Sequence, residues 1–116
     1  MSPPPRLTHV VLPVDDLARA LPFYERLLGV EARFRDGDRW AELELPGGLR
    51  LALAGPSEQA AGGQPCLLLR GEDLDAARAW LDAAGAVAGP GAREGAHERT
   101  LVFADPEGLR HLLAVR

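Results

Sequence analysis

Apolar and polar positions sort this chain into short strands and two helices. Residues 9–14 form an apolar, β-branched run ended by Pro13 and the pair Asp15-Asp16, which predicts a strand over about 7–14 buried on both faces. Leu17, Ala20, Leu21, Tyr24, Leu27 and Leu28 then recur at helical spacing. Asp16 before this run is a good N-cap, and Gly29 after it suits a left-handed C-terminal cap, so a helix is predicted over about 16–28. Pro22 lies inside the pattern, so a kink or a late helix start is expected there. Three strands follow: 30–35, 39–45 after an Asp36-Gly37 hairpin turn, and 49–53 after Pro46-Gly47-Gly48. The middle strand alternates cleanly, with Ala41, Leu43 and Leu45 on one face and Trp40, Glu42 and Glu44 on the other.

A shift of 57 positions superposes the grammar of the chain on itself. Asp73 falls on Asp16, Leu74 on Leu17, Ala77 on Ala20 and Trp80 on Phe23, and Gly85 matches Gly29 after a one-residue deletion. The second copy predicts a strand over 65–70, a helix over 73–84, a weak strand at 86–88, a Gly- and Pro-rich loop at 89–96, and strands over 99–104 and 109–115. Asp105-Pro106-Glu107-Gly108 is a turn sequence between the last two. Two copies are too few for a solenoid. The expectation is one α+β domain of two βαβββ modules, about 6–54 and 65–116, with residues 55–64 (GPSEQAAGGQ) as linker. Residues 2–5, with three successive prolines, are expected to be a frayed arm.

Composition narrows the partners. The net charge of −4 over 116 residues argues against nucleic acid, which calls for a basic face. The absence of an 18-residue apolar run argues against a membrane span, and the first residues lack a signal-peptide pattern, so a cytoplasmic location is expected. One cysteine, Cys66, allows no internal disulfide. All 13 basic residues are arginine and the chain has no isoleucine or asparagine, a pattern of codon bias rather than of function.

His9-Val10-Val11-Leu12-Pro13-Val14-Asp15-Asp16, Phe23-Tyr24 with Leu28-Gly29, and Asp105-Pro106-Glu107-Gly108 appear in that order within the duplicated modules. Together they resemble the vicinal oxygen chelate superfamily, which includes glyoxalase I, methylmalonyl-CoA epimerase, extradiol dioxygenases, fosfomycin-resistance enzymes and bleomycin-resistance binding proteins. The resemblance runs from about residue 6 to 116. It implies curved sheets that form a cup with the helices outside, the two modules being related by a pseudo-twofold. In metal-dependent members the first and last strand of each half each supply one ligand, and the metal stabilises an enediolate or catecholate. The first-strand place holds His9, and its counterpart is Cys66. The fourth strand offers Arg50, Ala52 and Ala54 on one face and three leucines on the other, and the last-strand place holds Leu112. A catalytic site needs about three protein ligands. The expectation is therefore no cofactor, with His9 the one family-type ligand retained and a divalent metal as the rival reading.

By strand parity Arg50, Arg70 and Arg110 join Trp40, Glu42 and Glu44 on the cup face, so that His9, Cys66 and Leu112 complete a candidate small-molecule site of mixed charge. His97 reads as solvated, and His111 points away from Leu112 by parity unless a bulge turns it. The implied function is a small-molecule binding protein of the bleomycin-resistance type, and the resemblance also implies a homodimer. The alternatives are a metal-dependent lyase, isomerase or dioxygenase drawing on Glu42 or Glu44 with His9, and an interaction module with a vestigial cup. Two carboxylates beside Trp40 suit a cation with a flat apolar part. Arginines that neutralise them would favour an uncharged ligand.

Overall fold

The computed structural model describes residues 3–89, 91–94 and 98–116, with Glu94 described by its backbone alone. His97 lies outside them. Two compact units form: His9–Pro65, and Cys66–Arg116 together with the residues up to Thr8, whose Oγ1 donates to the Leu68 carbonyl at 3.3 Å.

In the first unit β1 (Arg6–Pro13) leads to α1 (Leu17–Leu28), then to β2 (Phe34–Asp36), β3 (Trp40–Glu44) and β4 (Arg50–Ala54). The pairing order is β2-β3-β4-β1, antiparallel except for the parallel pair β4-β1. Asp16 caps α1 by accepting from the Arg19 N–H, and Gly29 closes it at φ +69° with its N–H on the Glu25 carbonyl. Leu17 and Leu21 from α1 pack with Ala41, Leu43, Leu51 and Leu53 from the sheet, so the helix covers the face that alternation assigned to the core.

The second unit repeats this with β5 (Cys66–Gly71), α2 (Leu74–Ala84), β6 (Val87–Ala88), β7 (Arg93–Glu94), β8 (Arg99–Ala104) and β9 (Arg110–Val115). Its order is β5-β9-β8-β6, with β5 and β9 parallel and β7 also paired to β8. Asp73 caps α2 on the Ala76 N–H, and Ala77 and Leu81 pack against Leu101, Phe103 and Leu113. The Asp105 carboxylate accepts from the Glu107 and Leu109 N–H groups, so the Asp-Pro-Glu-Gly motif here locks the β8–β9 turn. The fold is α+β, with a βαβββ plan in each half.

Three expectations are corrected. Helix α1 starts at Leu17 and runs through Pro22 to Leu28, so the proline delays nothing; it removes one internal N–H, and the leucines on the sheet outweigh that loss. Strand β2 covers only Phe34–Asp36, because Val30 and Ala32 pack on the core and the Ala32 N–H donates to the Glu25 carboxylate instead of joining a ladder. The predicted loop 89–96 contains β7, which pairs Arg93 with Thr100 and Glu94 with Arg99. In the segment between the modules Pro56–Glu58 form a 3-10 turn, and the Gln59 amide donates to the carbonyls of Val14 and Ala54.

Gly55 makes the tightest approach. Its N–H donates to the Arg39 carbonyl at 2.8 Å, and a Cβ on it would stand 2.1 Å from the Asp38 oxygen. Gly55→Ala is expected to lower stability by about 1–3 kcal/mol, since the β2–β3 turn must shift to admit the methyl group. Urea denaturation checks this, and an unchanged midpoint would mean that the turn yields freely.

Candidate functional site

Helix α1 covers one face of the first sheet, and the candidate residues lie on the other. His9 pairs with Arg50 across β1-β4, and Arg50 with Glu44 across β4-β3. In the next row Val11, Ala52 and Glu42 are aligned, with Phe34 beyond them on β2. Trp40 occupies the row after, opposite Ala54. His9, Arg50, Ala52, Trp40, Glu42 and Glu44 thus share one face, as parity required.

The structure links three of them directly. His9 Nε2 is 3.1 Å from Glu42 Oε1, and Trp40 Nε1 donates to Glu42 Oε2 at 2.8 Å. His9 and Glu42 belong to strands that flank β4 and are offset in register, His9 level with Arg50 and Glu42 level with Ala52, so their side chains meet on a diagonal across β4. Ala52, level with Glu42, offers only a methyl group and is fully buried.

His9 is fully buried, and the Glu42 side chain keeps 16% exposure. The His9 contact is the main cause that holds the Glu42 carboxyl at about 2, far below its ordinary 4.5; the Trp40 bond and the charge of Arg50 add to it, against the opposing effect of burial. Glu44 is engaged elsewhere, with Arg33 Nη1 at 3.0 Å and Arg50 Nε at 3.7 Å. Both glutamates therefore have basic neighbours.

The candidates of the second unit are less tightly joined. Cys66, Leu68 and Arg70 alternate along β5 on the face away from α2, and β9 brings Leu112 beside Leu68. Cys66 and Leu112 are each 5% exposed. Burial pushes the Cys66 thiol pKa up, which makes it a poor nucleophile at neutral pH. Arg70 is paired with Glu98, a partner that the sequence reading missed because it lies beyond the loop, and Arg110 is exposed. His111 points away from Leu112: its Nδ1 accepts from the Leu67 N–H at 3.1 Å and its ring lies against Phe103.

The sequence profile of the glyoxalase/bleomycin resistance protein/dioxygenase superfamily matches residues 6–111. The chain belongs to this superfamily. An uncharacterised protein of Mycolicibacterium smegmatis is 36% identical over 99 residues, covering 85% of this chain and 84% of that one. Among solved structures, a Legionella pneumophila chain described as an NAD-dependent benzaldehyde dehydrogenase superposes with a TM-score of 0.77 at 19% identity, covering 92% of this chain and 96% of its own. At that identity only the fold is shared. Methylmalonyl-CoA epimerase from Mycobacterium tuberculosis superposes with a TM-score of 0.65 at 26% identity, covering 95% of this chain and 87% of its own.

Superfamily membership raises the question of a divalent metal, and the donor set does not fit one. In the first unit His9 faces Glu42, and β4 presents Arg50, Ala52 and Ala54 where a ligand would be needed. In the second, the corresponding places hold a buried thiol and a leucine. Among the described residues no three His, Cys, Asp or Glu side chains converge. Nor, among them, is any helix long and apolar enough to cross a membrane.

The depressed Glu42 carboxyl links stability to pH. Because its pKa is lower folded than unfolded, the unfolded chain binds the proton first, and stability is lost as pH falls from about 4.5 toward about 2. The ceiling on this loss is on the order of 3 kcal/mol, at about 1.4 kcal/mol per pKa unit. Glu42→Gln is expected to flatten the dependence in that window. Urea midpoints measured between pH 2 and 6 check it, and parallel curves for the two proteins would contradict it.

Proposed function

We propose that this protein binds a small molecule without a divalent metal, on the face of the first sheet that α1 leaves uncovered. The observation that carries this reading is the His9–Glu42–Trp40 chain. The one family-type ligand residue is engaged by a carboxylate within its own half, and that carboxylate also fixes the indole of Trp40. A side chain held at both ends is preorganised to line a site and loses little freedom when a ligand arrives.

The same chain bears on the ligand's charge. Glu42 has one oxygen 3.1 Å from His9 and the other on the Trp40 indole, and Glu44 is paired with Arg33 and Arg50, so both carboxylates are already engaged within the protein. This removes the reason to favour a cationic ligand. The proposed ligand is uncharged, with a flat apolar part for the Trp40 ring.

Likeness to methylmalonyl-CoA epimerase invites a proton-transfer reading with Glu42 as base. A general base works best with a pKa near the working pH. A carboxyl held at about 2 is too weakly basic for that role at neutral pH. Binding therefore fits these residues better than enolisation.

Purification without chelator, followed by elemental analysis, tests the metal-free reading. The expected result is well under one equivalent of Zn, Ni, Mn or Fe, with no rise in Tm when any of them is added. One bound equivalent would overturn it and favour a metal-dependent enzyme that uses His9 with Glu42. A thermal-shift screen of planar metabolites in EDTA then addresses the ligand: neutral compounds are expected to raise Tm more than their cationic analogues. The reverse order would restore the cation.

A further inference from the structure

The face of the second sheet that α2 leaves uncovered has a basic end and an apolar strip. Arg70 on β5 is level with Ala114 on β9, Ala114 with Thr100 on β8, and Thr100 with Arg93 on β7, so these four share one row. Leu101, Phe103 and Leu113 turn toward α2, and the period of two therefore sends Thr100, Val102 and Ala104 to the other face. All three are half-buried, and Val87 on β6, level with Ala104, is 69% exposed. From Thr100 to Ala104 the strip is about 13 Å long, at roughly 3.3 Å per residue.

Two arginines flank the Thr100 end. Arg70 donates from Nη1 to Glu98 Oε2, and because Glu98 immediately precedes β8, the Arg70 side chain reaches across β9 toward that strand. The pair stays open to solvent, its side chains being 31% and 30% exposed. A guanidinium has several N–H donors, so one ion pair leaves Arg70 with donors for a second acceptor. Arg93 stands exposed on the far side of Thr100, and among the described residues it enters no ion pair. Two arginines and one glutamate leave this end with a single positive charge in excess.

We propose that this face binds the carboxylate of a monoanionic acid with an apolar tail. Arg93 and Arg70 hold the carboxylate from two sides, the Thr100 hydroxyl donates to it, and the tail lies along Val102, Ala104 and Val87. A carboxylate is planar and accepts the parallel N–H donors of an arginine fork, and its one charge matches the excess. A phosphate dianion would exceed that charge and would meet Glu98 at close range. At the other end of the strip Arg110 is level with Ala104 and Ala104 with Val87, a row with neither a second arginine nor a hydroxyl, so the anchor is at Thr100. The site lies within the second unit and does not rest on the reading of the first sheet.

Octanoate, with octanamide as its uncharged counterpart, tests this by titration calorimetry in low-salt buffer free of other carboxylates and of phosphate. Octanoate is expected to bind about tenfold more tightly than octanamide, and Arg93→Ala is expected to weaken octanoate by about tenfold, as befits the loss of a charged hydrogen-bond donor. Glu98→Gln is expected to act in the opposite sense and tighten octanoate by about threefold, because it removes the carboxylate that competes for Arg70. Arg19→Ala removes the same charge from α1 and is expected to leave the affinity unchanged. Failure of octanoate to bind at millimolar concentration, equal binding of octanamide, an Arg93→Ala variant that binds as well as the wild type, or a Glu98→Gln variant that binds no better would each overturn the proposal. So would an equal loss in Arg19→Ala, which would mean that overall charge draws the anion. Matching far-UV circular dichroism and Tm of the ligand-free variants separate lost binding from lost folding.

Discussion

A strand has two faces, and in each half of this protein one helix covers only one of them. That constraint arranges everything else. Leu17 and Leu21 take one side of the first sheet, and the period of two then commits His9, Arg50, Ala52, Trp40, Glu42 and Glu44 to the other. A slip of one residue in β3 would turn Ala41 and Leu43 outward and put two glutamates under the helix. The register is consequently fixed by the core, and the polar face inherits its precision without having to stabilise itself.

Placement on that face is necessary for the His9–Glu42 contact but does not suffice for it. Two residues on strands that flank a third must reach across it, and these do so on a diagonal, from His9 level with Arg50 to Glu42 level with Ala52. The Ala52 methyl group is small and is itself buried in the packing. The contact therefore depends on the reach of two side chains across β4 as well as on the face that each occupies.

Elements whose local chemistry and burial agree were legible in the sequence. Both caps of both helices, the alternating face of β3 and the turn before β9 follow from short-range rules, and the duplication extends them to the whole chain. The misreadings share a cause. Val30 and Ala32 look like strand residues because they are apolar, yet they pack on the core from an irregular segment whose backbone is partly satisfied by the Glu25 side chain. Strand β7 comes from a Gly-rich stretch with no periodicity, and its pairing with β8 is a tertiary choice. The site was legible by face but not by partner. Parity placed Glu42 and Glu44 together, while the pairing of one with His9 and Trp40 and of the other with Arg33 and Arg50 depends on cross-strand distances that a sequence does not contain.

The duplication also separates what the fold demands from what it leaves open. Asp16 and Asp73 cap their helices in the same way, Gly29 and Gly85 end them in the same left-handed conformation, and Phe23 and Trp80 occupy equivalent exposed positions. The four caps are the positions where backbone hydrogen bonds must be closed or a helix must stop. Elsewhere the halves diverge: His9 is answered by Cys66, and Arg19 on the outside of α1 by Ala76 on α2. Neither side-chain difference touches a cap or a core leucine, so both could change without a penalty in folding. A duplicated unit that keeps its caps and core is free to specialise its two halves, and here one half carries the His9–Glu42–Trp40 chain where the other places Cys66, Leu68 and Leu112 beside Arg70.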